Sequence, residues 1–130
     1  MSRSRWTDAA QRFAERRKRE DDAPRLSTVV PRLDTLRLEV EERRGVALSA
    51  ESKHVRHVVV AGAPALFVVP CGDRECKDGG HDLTDAILRP LSTGATTFSI
   101  DDACPGSVGN GRAACGRVVH VTANATYRPA

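Results

Sequence analysis

Apolar and polar residues alternate strictly from Leu36 to Glu41, in the order Leu-Arg-Leu-Glu-Val-Glu. This is the period of a strand with one face in a core and the other in water. The pattern also admits a helix from Pro31 to Arg44, with Leu33, Leu36 and Val40 on one face and Gly45 as C-cap. Residues 32–44 therefore stay open between strand and helix, and the alternation favours the strand. A second alternation sets Val119, Val121, Ala123, Ala125 and Tyr127 against His120, Thr122, Asn124 and Thr126, and predicts a closing strand; Thr96 to Ile100 reads as a shorter one. His54 to Val60 and Ala65 to Pro70 are valine-rich runs joined by Ala61-Gly62-Ala63-Pro64, which predicts an antiparallel hairpin whose second arm runs into Cys71.

Helical spacing occurs twice. Trp6, Ala9, Ala10, Phe13 and Ala14 recur at three- and four-residue spacing beside Thr7, a suitable N-cap, and predict a short amphipathic helix that ends in a basic run. Glu20-Asp21-Asp22-Ala23-Pro24 then reads as a solvated linker. Asp82, as N-cap, and Asp85, near the positive end, predict a helix through Ala86, Ile87 and Leu88 that Pro90 stops early. The glycine-rich stretch from Cys104 to Gly116 reads as a loop. The pattern predicts an α+β fold: a small, mostly antiparallel sheet with one short helix, residues 26–130, preceded by a basic helical or flexible extension, residues 1–25.

Composition adds two constraints. With three phenylalanines, one tryptophan and one tyrosine, the core must be built from valine, alanine and leucine, and is thin. No apolar run approaches the length of a membrane span, and the residues after Met1 lack the apolar core of a signal peptide, so a cytoplasmic protein with no membrane partner is expected. In that reducing compartment, the four cysteines favour metal binding or redox chemistry over disulfides.

Cys71 and Cys76 are separated by four residues at the end of a predicted strand, and Cys104 and Cys115 by ten between two others. Two cysteine pairs on separate loops suit a tetrahedral ion, and Zn2+ is the expected cofactor. The second pair begins Cys104-Pro105-Gly106 and closes Cys115-Gly116. It resembles a zinc-ribbon knuckle opened by an inserted loop, Ser107 to Ala114. The first pair, Cys71-Gly72-Asp73-Arg74-Glu75-Cys76, is longer than the usual knuckle and lacks its proline. The resemblance covers the C-terminal half of the chain and implies a ribbon-like zinc site. Gly72 and Gly116 are expected to supply the positive φ that turns amide groups toward a thiolate. His81, five residues after Cys76, is the rival ligand for a site of three cysteines and one histidine.

Four thiolates leave no open position for a catalytic water, and neither pair has the two-residue spacing of a redox motif. No enzymatic role and no small-molecule substrate are expected, and His54, His57 and His120 read as ordinary strand residues. Arg12, Arg16, Arg17, Lys18 and Arg19, with scattered Arg112, Arg117 and Arg128, make nucleic acid a candidate partner. Glu20, Asp21, Asp22, Glu39, Glu41 and Glu42 interrupt that charge. The alternative is a protein-interaction adaptor that uses a sheet edge and the Trp6/Phe13 helix; that helix packed on its own domain competes with it equally.

Overall fold

The alternation around Leu36 is realised as a strand, β1, Leu33–Arg44, and the helical alternative is not formed. The computed structural model describes residues 5–44, 51–73, 75–109, 111 and 113–129, with side chains from residue 10 onward. In chain order, the other elements are helix α1, Arg5–Asp22; helix α2, Leu26–Val29; β2, Ser52–Val58; β3, Val68–Val69; β4, His81–Asp82; helix α3, Thr84–Ser92; β5, Thr97–Ala103; β6, Ser107–Val108; β7, Ala113–Ala114; and β8, Arg117–Tyr127. The fold is α+β. Its main sheet has four antiparallel strands in the order β2-β1-β8-β5.

Register explains the core. Leu36, Leu38 and Val40 lie opposite Ala125, Ala123 and Val121 on β8, and Phe98 and Ile100 of β5 continue two of these rows. Because side chains alternate across a strand, all of these share one face. That face is covered by Ile87 and Leu91 of α3, together with Leu26, Phe67 and Leu83. The opposite face carries Glu39, Thr122, Ser99 and their polar neighbours.

Four expectations change. The valine-rich runs do not pair with each other, since β2 pairs along its whole length with β1, from Leu36 opposite Val58 to Glu42 opposite Ser52. Residues around Pro64 instead bridge to Arg25, with Leu26 N–H donating to Ala63 O at 2.9 Å and Ala65 N–H to Pro24 O at 2.7 Å; Val68 and Val69 pair with β4. A long partner consecutive in sequence outcompetes a short hairpin, because it satisfies many more backbone groups.

The acidic segment after the basic run is helical, not a linker: α1 runs to Asp22, and Ala23 N–H still donates to Arg19 O at 3.0 Å. Pro24 is the stop, since a proline disfavours the helical conformation of the residue before it. Pro90 also does not stop its helix early. It sits inside α3, and its carbonyl accepts Thr93 N–H at 3.2 Å, Ala95 N–H at 3.0 Å and the Thr93 hydroxyl at 2.9 Å. With only two residues left, little of the helix remains to disrupt. Asp82, the expected N-cap, lies one position before the observed one, Leu83, and its carboxylate accepts Thr84 N–H at 3.1 Å.

Every described side chain of α1 from Ala10 to Asp22 is exposed, and Phe13 is 55% exposed with the Arg16 guanidinium 5.9 Å from its ring centroid. The side chain of Trp6 lies outside the described residues. One ion pair, Arg19 to Asp82 at 2.9 Å, ties the helix to the start of α3.

Candidate metal centre

Strand ends deliver the cysteines. β3 leads through Pro70 to Cys71, β5 ends one residue before Cys104, and Cys115 lies between β7 and β8. The expected loop from Cys104 to Gly116 contains a small hairpin, β6 with β7, closed by Cys115 N–H donating to Gly106 O at 3.0 Å. Lys77 and Ser107 exchange both backbone hydrogen bonds, at 2.8 and 3.1 Å, and clamp the first loop to the second.

This arrangement brings Cys71, Cys76, Cys104 and Cys115 together with all four Sγ atoms within 4.8 Å of one another. Cys71 lies 3.5 Å from Cys115 and Cys76 lies 3.6 Å from Cys104, far beyond a disulfide bond, and all four thiols are free. A tetrahedral ion with metal–sulfur bonds of ~2.3 Å places its ligands ~3.8 Å apart, so the cluster has the size of a metal site. Backbone amides point at the sulfurs, Gly80 N–H at Cys104 Sγ (3.3 Å) and Asp73 N–H at Cys71 Sγ (3.5 Å).

Two glycines make this approach feasible. A Cβ on Gly79 would collide with Cys76 Sγ and lie 2.6 Å from Cys104 Sγ; one on Gly106 would collide with Cys76 Sγ and lie 2.7 Å from both Gly79 Cα and Lys77 O. Backbone and anchored sulfurs cannot yield cheaply. Gly106→Ala is therefore expected to destabilise the protein by about 2 kcal/mol and lower its metal occupancy, whereas Gly62→Ala, with nothing within 4 Å of the new methyl, changes stability by less than ~1 kcal/mol. Melting curves and metal content of the two variants make the comparison. Of the glycines expected to adopt positive φ, Gly116 does, at 73°. Gly72 does not; it is needed because a Cβ there would collide with the Glu42 carboxylate that accepts its N–H at 3.2 Å.

In the metal-free thiol state, burial pushes the Cys71 thiol up to about 11, against the opposing Asp73 N–H, and burial with the neighbouring Cys104 also raises Cys76. For Cys104 burial acts in the same direction, but the Gly80 and Gly106 amides outweigh it and the net shift is downward. A thiol with a raised folded pKa contributes stability below its unfolded value near 9 and loses it as pH rises through the folded value. With two thiols raised and one lowered, metal-free protein is expected to lose stability between about pH 9 and 11, while the metal-bound form, whose thiols are already deprotonated, does not. Chemical denaturation of both forms across that range checks the sign.

Polar residues missed by the sequence reading support the cluster. Glu42, read only as one of the acids that interrupt the positive charge, is 6% exposed, and its Oε1 accepts from Arg117 Nη1 at 2.7 Å while Oε2 receives Gly72 N–H, next to Cys71. Arg117, read as part of a scattered basic surface, is buried between Glu42 and Glu51 (2.6 Å), and its carbonyl accepts Cys104 N–H at 2.8 Å. Burial disfavours its charge, but the two carboxylates more than offset this and raise its pKa. The signal was present: continuing the inward series Leu36, Leu38, Val40 places Glu42 on the buried face. His81 is fully buried and apart from the thiols, its Nδ1 2.8 Å from Asp102 Oδ2 and its Nε2 without a hydrogen-bond partner among the described residues.

The basic residues are spread around α1. Arg19 is held by Asp82; Arg12 borders the first cysteine loop; Arg16 and Arg17 face a cleft between α1 and the sheet; and Lys18 is exposed. Arg128 donates to Pro31 O at 2.7 Å, and Arg112 lies outside the described residues. His54 and His57 are exposed on β2, and His120 Nδ1 lies 2.7 Å from Asp101. Among the described residues, no helix is long and apolar enough to cross a membrane. No protein family, curated protein or solved structure matches this chain.

Proposed function

We propose that this chain is a non-enzymatic binding protein whose fold is stabilised by one structural zinc ion held by Cys71, Cys76, Cys104 and Cys115. The observation that carries the reading is the mutual approach of four free thiols to within 4.8 Å. A tetrahedral set of four sulfurs suits zinc or iron, and four protein ligands close the coordination sphere, which favours a structural over a catalytic ion. The zinc-ribbon resemblance adds to this, since the clamp of Ser107 to Lys77 and the β6–β7 hairpin suit a knuckle opened by an insertion. Thiolate ligation also fits a reducing compartment such as the cytoplasm.

Elemental analysis of tag-free protein tests the proposal. One zinc per chain, replaceable by cobalt with the absorption of a tetrahedral thiolate site, is the expected result. Stoichiometric iron would replace the structural reading with a redox one, and no metal would overturn it.

Nucleic acid is the second reading, favoured by the exposure of Arg12, Arg16, Arg17, Lys18 and Arg19 on one helix. Replacing Arg16, Arg17, Lys18 and Arg19 by glutamine should abolish phosphate-driven binding and spare an adaptor role that rests on the Trp6 and Phe13 side chains. Trp6→Ala with Phe13→Ala should do the reverse.

A further inference from the structure

β2 is an edge of the main sheet, bonded to β1 on one side only. Among the described residues, nothing pairs with its other edge, and Ser52 to His57 are all exposed. Such an edge is a row of free backbone donors and acceptors. Its sequence is Ser-Lys-His-Val-Arg-His-Val, two full cations and two histidines with no acid.

The strand also borders a cleft of about 720 Å³ between α1 and the inner face of the sheet. Leu38, Val40 and Phe67 help line it, His54 and Arg56 reach it from β2, and Arg16 and Arg17 reach it from α1. Lys53 is committed to Glu41 at 3.5 Å and Glu42 to Arg117. Arg16, Arg17 and Arg56 have no ion-pair partner among the described residues, and the cleft sets these three guanidinium groups against the carboxylates of Glu20 and Asp21. The cleft keeps a modest positive excess, and β2 contributes no acid to offset it.

We propose that β2 is a docking edge for an extended acidic segment of a partner protein, which adds a strand beside Ser52–Val58 and directs alternate side chains toward Arg16, Arg17 and Arg56. Strand addition draws affinity from main-chain hydrogen bonds and selectivity from alternate side chains. The charge argues against a second copy of this chain as occupant. Two β2 strands paired antiparallel about Val55 would set Lys53 against His57 and His54 against Arg56, with no carboxylate opposite either cation. The inference rests on the binding-protein reading and gives it a surface and a partner chemistry.

The test uses the whole 130-residue chain, of measured metal content, and a fluorescein-labelled peptide, Glu-Val-Glu-Thr-Glu-Val-Glu, with a twin carrying lysine for every glutamate. The acidic peptide is expected to bind saturably and at least about tenfold more tightly than its twin, and to weaken several-fold between low and high salt. It should also slow amide hydrogen exchange specifically at residues 52–58. The triple variant Arg16→Glu, Arg17→Glu, Arg56→Glu should lose about tenfold in affinity with metal content and melting unchanged; the exchange measurement needs no variant. No saturable binding, equal binding of the twin, or binding that leaves residues 52–58 unprotected overturns the proposal, and the cationic edge then serves only to block strand pairing. Tighter binding of a single-stranded oligonucleotide that displaces the peptide also overturns it, in favour of nucleic acid. Because metal is measured on the same samples, failure here is distinct from failure of the zinc reading.

Discussion

Removing the metal with a strong chelator is expected to lower the melting temperature by roughly 10–20 °C, and Cys104→Ser should melt at the lowered value with or without chelator. An ion that binds only the folded chain stabilises it by about 4 kcal/mol when free metal exceeds its dissociation constant about a thousandfold. Cys104 is the informative position, because its sulfur accepts the Gly80 amide, 3.3 Å away, and lies 3.6 Å from Cys76. A serine hydroxyl still accepts an amide hydrogen bond but is a poor ligand for a soft site, so the substitution removes ligation more than local packing. Scanning calorimetry of wild type and variant, each with and without chelator, makes the comparison. If chelation leaves the wild-type melt unchanged, the cluster is a group of core thiols.

Arg117→Met is expected to destabilise the protein by about 3 kcal/mol, and Glu42→Gln in the same chain should restore most of that loss. The reason lies in burial. Glu42 is 6% and Arg117 9% exposed, and the variant leaves the carboxylate without its guanidinium in a site water barely reaches. Restoration in the double variant identifies the penalty as that uncompensated charge, whereas two additive losses would point to packing. Metal affinity is expected to fall in the single variant, because Glu42 holds the Gly72 amide beside Cys71 and the Arg117 carbonyl holds Cys104 N–H. Second partners of this kind orient the groups that bind a metal. Denaturant titrations and metal competition of the single and double variants read both effects.

Sequence pattern alone determined the elements whose period is local. β1 and β8 were legible because Leu36, Leu38, Val40 and Val119, Val121, Ala123, Ala125 alternate with polar residues, and that alternation survives in the fold as one buried face. The α+β class and the grouping of the cysteines into two loops followed from the same kind of signal. What needed the tertiary structure was every choice among partners. Two valine-rich runs are each a good strand, yet nothing local tells His54 to Val58 to pair backward with β1 and not forward with Val68 and Val69.

The support of the cluster was hidden for a related reason. Glu42 and Arg117 look like surface charges until β1 and β8 lie side by side and bury one against the other, since a charge is tolerated inside only when its counter-charge is already there. Gly79 and Gly106 are unremarkable in their loops, and the folded approach of the Cys76 sulfur, with Cys104 Sγ at Gly79 and the neighbouring backbone at Gly106, gives each a steric reason to lack a side chain. Local periodicity therefore decided where strands begin and which way they face. Long-range pairing decided which strands meet, which charges are buried and that four distant thiols converge, because those outcomes depend on contacts between residues 28 to 75 positions apart.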